Sequence, residues 1–190
     1  MTLLIIGLIV FLGLHSVSIV APGWRNAQVA RFGEGSWKGI YSVVSLVGLA
    51  LLIIGYGAAR QSPVVLYVPP TWLRHVSLLL MVPVFPLLIA AYVPGWISRT
   101  AKHPMLLAVK FWALAHLLAN GTLADVLLFG GFLAWAVADR ISMKRRTSRD
   151  VPHAPASRAN DAIVVVGGLA LYVLFVWRLH LWLIGVSPVG

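Results

Sequence analysis

The chain has 190 residues, of which 60% are hydrophobic and only 11% charged, against ~45–50% and ~25% in an average soluble domain. It contains no cysteine, which excludes a disulfide scaffold, a thiolate metal site, an iron–sulfur cluster and a cysteine nucleophile. The composition also excludes disorder, a coiled coil and a typical soluble enzyme, and the net charge of +10 does not indicate a nucleic-acid partner. The basic residues fall in short stretches between long apolar runs, as they do in an integral membrane protein. Only five residues are acidic, Glu34, Asp125, Asp139, Asp150 and Asp161, which disfavours a carboxylate-rich metal site.

A helix needs ~20 mostly apolar residues to cross ~30 Å of hydrocarbon. In chain order, the predicted spans are Leu3 to Val20, Ile40 to Ala59, Trp72 to Val93, Pro104 to Ala119, Leu123 to Val137 and Ala162 to about Val186. The first has no basic leader and no small-residue cleavage site, so it reads as a retained helix. Between the first two spans, PGWRNAQVARFGEGSWKG suits a short interfacial helix ending before Gly33, with Trp24 and Trp37 at the membrane–water boundary. The third span should bend near Pro83 and Pro86, because each proline removes a hydrogen bond to the carbonyl four residues earlier. The fourth ends in Asn120-Gly121, residues that tolerate a positive φ and so stop a helix well. The loop from Arg140 to Asp161 is rich in Pro, Ser and charge and reads as a mobile, solvated connection. The expected fold is therefore all-α: a single polytopic membrane domain over residues 1–190, a bundle of about six transmembrane helices with the lipid bilayer as its partner.

Orientation follows from charge. The first, third and fifth loops hold eleven Lys and Arg, whereas the termini and the other loops hold Arg60 and Arg74 alone. This bias places the basic loops, residues 140–161 included, in the cytoplasm and both termini outside it. In a bacterial inner membrane the termini would be periplasmic.

Polar residues inside spans are expensive and need partners. His15 lies two-thirds of the way along the first span and His116 well inside the fourth. Trp112, His116 and Asn120 recur at four-residue spacing and share a helix face. Each histidine can pack as a neutral imidazole across a helix interface, or ligate a metal or haem iron in that same neutral form. His103 precedes Pro104 and reads as an interfacial cap. Lys110 should reach back towards the cytoplasmic interface and stay partly solvated. Near the outer side, Arg74, His75, Arg178 and His180 can either snorkel or hold anionic groups. Asp125 suits the start of the fifth helix.

LGLHS at Leu12–Ser16, FGEGSWKGIYSVVS at Phe32–Ser45 and KHPMLLAVKFWALAHLLANG at Lys102–Gly121 together resemble the NnrU family of bacterial membrane proteins over roughly residues 1–140. The family also includes the plant 15-cis-ζ-carotene isomerase, a haem b protein. The resemblance implies a role in denitrification and nitric oxide metabolism. It also implies haem b held by two axial histidines, which match His15 and His116. Trp112 and Asn120 would then belong to the haem pocket, and Arg74 and Arg178 are candidates for propionate contacts. The two imidazoles are expected to point into a common apolar cavity. The isomerase has a cysteine three residues before its second histidine, whereas Ala113 stands there in this chain, so any chemistry that relies on that thiolate is missing.

Three functions follow as expectations. The first is a haem b membrane protein of nitrogen-oxide metabolism. The second is a haem-dependent isomerase of a lipid-soluble polyene such as a carotenoid. The third is a haem-free membrane scaffold in which the histidines only pack.

Overall fold

The computed structural model describes residues 1–146 and 153–189, and it is all-α. The elements are α1 (Thr2–Val20), α2 (Pro22–Phe32), α3 (Glu34–Ala59), α4 (Trp72–Met81), α5 (Val84–Ala90), α6 (Trp96–Ala101), α7 (Pro104–Ala119), α8 (Leu123–Ser142), α9 (Asn160–Leu174), a π-helical turn (Phe175–Leu179) and α10 (His180–Ile184). Every predicted span is thus helical. Thr2–Val20, Glu34–Ala59, Trp72–Ala90 and Asn160–Ile184 are long and apolar enough to cross a membrane, and Pro104–Ala119 is a shorter apolar helix. Large apolar side chains on these helices face outwards, Ile9 at 67% exposure and Leu46 at 65% among them. Such surfaces are stable where the surrounding solvent is lipid and not water.

The chain divides into two compact units, one of Met1–Val68 with Gly121–Ser142, the other of Pro69–Asn120 with Met143–Gly190. In the first unit α1 packs along α3, and α8 packs against both. A Cβ added at Gly55 would lie 2.7 Å from Leu4 Cα and 2.6 Å from the Leu3 carbonyl carbon, and one at Gly7 would lie 2.7 Å from the Leu52 amide nitrogen. Small residues therefore let the two backbones touch, which is the usual basis of helix association in lipid, where dispersion replaces the hydrophobic effect. As predicted, α2 lies before Gly33, whose φ of 83° is open to glycine at little cost. Trp24 and Trp37 meet edge to face at 5.9 Å, with the Arg25 guanidinium 5.8 Å from the Trp37 ring. α3 begins six residues earlier than the apolar run suggested, and Glu34 and Lys38 pair at 2.9 Å on its first turn.

The segment after α3 lies against the start of α8. Leu66 N–H and Tyr67 N–H both donate to the Gly121 carbonyl, at 2.8 and 3.1 Å, and Leu123 N–H donates to the Val64 carbonyl at 2.8 Å. α7 stops at Asn120-Gly121 as expected, but without the positive φ that the two residues tolerate. α7 leaves through an extended Asn120 (φ −131°, ψ 143°) and not through a left-handed residue. Gly121 is needed there for space, since an added Cβ would collide with the Tyr67 carbonyl. Outside the spans, burial pushes the Tyr67 hydroxyl above its ordinary tyrosine range, helped by the Asp125 carboxylate. At the start of α8, Thr122 and Asp125 form a reciprocal cap. Asp125 accepts from Thr122 N–H at 2.9 Å and from its hydroxyl at 2.6 Å, while Thr122 Oγ1 accepts from Asp125 N–H at 3.3 Å. The other Asp125 oxygen accepts from the Tyr56 hydroxyl at 2.5 Å.

In the second unit the third span is interrupted near the prolines, as expected, but the break falls at Val82–Pro83 alone. Pro86 lies in the first turn of α5, where an N–H would have had no partner within that helix. With no N–H on Pro83, the Leu79 carbonyl takes Val82 N–H at 3.2 Å, three residues on. The Leu78 carbonyl, which Val82 would ordinarily have bonded, takes the Tyr172 hydroxyl at 3.0 Å instead. α9 lies close to this region, since a Cβ on Gly168 would sit 2.6 Å from Pro86 Cα. Val84, Leu87 and Ala108 form the buried core of α5 and α7, with Met81, Phe111 and Trp112 packed around it. Lys110, in the N-terminal half of α7, is half-buried.

The described residues at the two ends of the basic loop are held by the rest of the fold. α8 runs on to Ser142. Ala154 N–H donates to the Tyr92 carbonyl at 2.8 Å, and the Asn160 amide donates to the Pro94 carbonyl at 2.8 Å and the Pro155 carbonyl at 3.1 Å. Asp161 accepts from Trp96 N–H at 2.8 Å and Ile97 N–H at 3.0 Å. Residues 147–152, with Arg149 and Asp150, lie outside the described residues.

Candidate functional site

His15 belongs to the first unit and His116 to the second, and each has its own setting. His15 is half-buried on α1. Its ring stacks on Phe11 at 4.2 Å and meets Tyr41 of α3 at 5.2 Å and Trp135 of α8 at 5.9 Å, both edge-on. Its Nδ1 lies 2.7 Å from the Phe11 carbonyl oxygen. A carbonyl can only accept, so Nδ1 carries the proton and the neutral ring has its lone pair on Nε2. Among the described residues, Trp135 Nε1 and Ser45 Oγ, on the helices that flank His15, are buried without a hydrogen-bond partner. Buried orphan donors are rare in folded proteins and mark places where an acceptor belongs. Asp139, on the same helix as Trp135, is buried at 7% exposure and lies close enough to His15 to act on it electrostatically.

His116 repeats the arrangement on α7. Its Nδ1 donates to the Trp112 carbonyl at 2.8 Å and its ring lies 5.3 Å from the Trp112 ring. The Asn120 amide donates to the His116 carbonyl at 2.9 Å, which caps the helix. The predicted Trp112, His116, Asn120 face is therefore present, and each member serves the next through the four-residue repeat. His116 opens onto a cavity of about 160 Å³. Arg74, Ser77, Asn120, Tyr172 and His180 supply its polar lining, and Leu78, Met81, Phe85 and Phe175 are among its apolar walls.

Of the cationic residues grouped at the outer side, Arg74 and His180 reach this cavity. His75 and Arg178 are exposed and do not line it. Asp125 is in the other unit, committed to Tyr56 and Thr122. His103 stands at the N-cap position of α7 with Pro104 in the first turn, but its side chain makes no capping hydrogen bond. Ala113 is fully buried.

Three contributors escaped the sequence reading. Tyr41 and Trp135 surround His15, but neither lies in a motif and their approach depends on how three helices cross. Tyr172 is fixed by the carbonyl released at the proline break. His180, already a candidate from the sequence, has Nδ1 donating to the Val186 carbonyl at 2.7 Å; the π-helical turn before it has no signature in the residues Phe175–Leu179.

No curated protein and no solved structure matches the chain. The family model described as NnrU protein matches residues 3–188, which extends the likeness through the basic loop and the last helix, beyond the region in which the motifs carry it. With apolar helices of membrane-crossing length and a match over nearly its whole length, the chain belongs to the NnrU family of membrane proteins.

Proposed function

We propose that this protein is a haem b-binding membrane protein of nitrogen-oxide metabolism, with His15 and His116 as iron ligands and Arg74 as a candidate propionate contact. The observation that carries the reading is the shared state of two intramembrane histidines. Each donates Nδ1–H to the carbonyl four residues before it and leans on an aromatic ring at that same position. A second hydrogen bond of this kind fixes the tautomer and the ring orientation of metal-bound histidine. The neutral imidazole needs no charge buried in lipid.

The residues present fit the group. Trp135 Nε1, whose ring meets His15, and Ser45 Oγ on α3 offer donors to an acceptor-bearing ligand, and the cavity beside His116 joins apolar walls to the Arg74 guanidinium. Bound haem b with two imidazole ligands supplies a one-electron redox centre. Ala113 gives no thiolate, so the reading does not extend to isomerase chemistry. The association with denitrification rests on family membership, and the inner-membrane location with periplasmic termini rests on the distribution of Lys and Arg.

A reduced-minus-oxidised absorbance spectrum of detergent-purified protein tests the haem. A low-spin spectrum is expected, lost in His15→Ala and in His116→Ala and kept in His153→Ala. A protein purified without any haem band, or a His15→Ala variant with a full complement of six-coordinate haem, overturns the ligand pair. A reporter active only in the cytoplasm should be silent at the C-terminus.

A further inference from the structure

The cavity in the second unit is bounded by two histidines. We propose that His116 and His180 form a two-imidazole site for a divalent ion of the first-row transition metals that favour imidazole, Cu(II) foremost. The proposal concerns the haem-free protein, because His116 Nε2, with Nδ1 committed to Trp112, binds haem iron or this ion but not both; it needs neither haem nor His15.

Both rings are held in the same chemical state. His116 donates Nδ1–H to Trp112, and His180 donates Nδ1–H to Val186 across the turn that closes α10. Both neutral rings therefore have their lone pair on Nε2, the form in which imidazole binds Zn, Cu, Fe and Ni. The ring centroids lie 6.5 Å apart with planes 23° from parallel. Two imidazoles on opposite sides of one metal ion hold their centroids about 6 Å apart, given metal–nitrogen bonds of about 2.0–2.1 Å. The observed spacing suits such an ion.

The backbone is irregular where it delivers the second ring. Tyr172, Val176 and His180 all line the cavity. In an uninterrupted α-helix, residue 180 would point about 80° away from residue 172, at ~100° per residue. The wider π-helical turn at Phe175–Leu179 takes up that difference and returns His180 to the Tyr172 face. Single π turns of this kind are rare and often occur at functional sites. Phe175 then meets the His180 ring edge-on at 6.1 Å.

Among the described residues no three His, Cys, Asp or Glu side chains converge on a common point. The remaining coordination positions therefore fall to water, held by the oxygens of Ser77, Asn120 and Tyr172 in the lining. Arg74, also in the lining, disfavours a naked dication and favours one that carries an anion such as chloride. A two-nitrogen, oxygen-completed set of this kind suits the tetragonal preference of Cu(II).

The test is a titration of haem-free, detergent-purified full-length protein with CuCl₂, followed by electron paramagnetic resonance. The expected spectrum is that of tetragonal Cu(II) with two nitrogen ligands, at one ion per chain. His116→Gln and His180→Gln should each weaken binding by more than the ~10–100-fold that loss of an outer-shell partner costs. His15→Ala and His75→Ala should leave it unchanged. Size-exclusion profiles and helical circular dichroism establish that each variant is folded, and a His180→Ala variant repeats the arm should the glutamine disturb α10. Copper binding that survives loss of His180, or that disappears with His15 or His75, overturns the proposal. The haem spectrum of the His15→Ala protein reads the other proposal separately, so the failure of one does not imitate the failure of the other.

Discussion

The two units solve the same problem differently. Each holds a polar imidazole inside an apolar helix, and each does so by giving Nδ1–H to the carbonyl four residues back. In the first unit the surroundings are regular: α1 and α3 run without interruption and meet through glycine, and His15 is enclosed by aromatic rings from three helices. In the second unit the helices are broken by Val82–Pro83 and by a π-helical turn, and a cavity lies where those irregular elements meet His116. The comparison teaches that close approach of straight helices needs small residues, whereas room for a ligand comes from backbone that departs from the α-helix. Each departure exposes a polar group that must be satisfied in lipid, and the Tyr172 hydroxyl on the Leu78 carbonyl does so here.

The largest expected effect breaks the first unit. In Gly55→Ala the new methyl would overlap the Leu3–Leu4 backbone, and a backbone cannot rotate aside as a side chain can. The cost should reach or exceed the ~3 kcal/mol at the top of ordinary overpacking. Thermal unfolding in detergent should show it, while Gly57→Ala, which meets nothing within 4 Å, should be neutral or stabilising by up to ~1 kcal/mol. Equal behaviour of the two variants would mean that α1 and α3 do not touch there.

Next comes the polar anchor of the same unit. Asp125→Ala removes the acceptor for the Tyr56 hydroxyl, Thr122 N–H and the Thr122 hydroxyl, and should cost more than any one such bond, about 1.5–3 kcal/mol. Tyr56→Phe, which takes away one donor, should cost about half as much. A Tyr56→Phe loss equal to that of Asp125→Ala would show that the Thr122 contacts contribute nothing.

The second unit should yield more readily. In Gly168→Ala the methyl would press on Pro86 beside the helix break, where α5 can shift, so the expected cost is about 1–3 kcal/mol. Gly167→Ala, whose methyl would meet only Ile89 Cδ1 at 3.5 Å, is the control on the same turn. A Gly168 effect larger than that of Gly55 would reverse the proposed contrast in rigidity. The smallest effect is that of Asn120→Ala, which removes one side-chain bond to the His116 carbonyl while Asn120 N–H still donates to it. About 1 kcal/mol is expected, read from the unfolding midpoint.

Much of the fold was legible because lipid imposes a simple rule: a span must be apolar and helical. The ends of α1 and α7 follow from where apolar residues begin and stop, and Gly33 from the need for a positive φ. The proline break was legible in kind but not in position, because which of two missing N–H groups matters depends on where the new helix starts. The exit from α7 was not legible because the Gly121 carbonyl that follows it accepts from Leu66 and Tyr67, distant in sequence. At the candidate sites, Trp112, His116 and Asn120 could be joined by counting, since helical spacing is local. Tyr41 and Trp135 beside His15, and His180 beside His116, could not, since they come from other helices or follow a turn of unusual pitch.

By itself the sequence determined the solvent, the class of fold, the family and the two histidines that lie within spans, because all of these are written in local composition and spacing. Tertiary structure alone decided the tautomers' companions, the aromatic enclosure of His15, the cavity beside His116 and the residues that line it. The physical reason is that side chains at fixed spacing share a helix face whatever surrounds them, whereas an enclosure depends on crossing points. Those are set by where glycines let helices touch and where freed carbonyls find a donor.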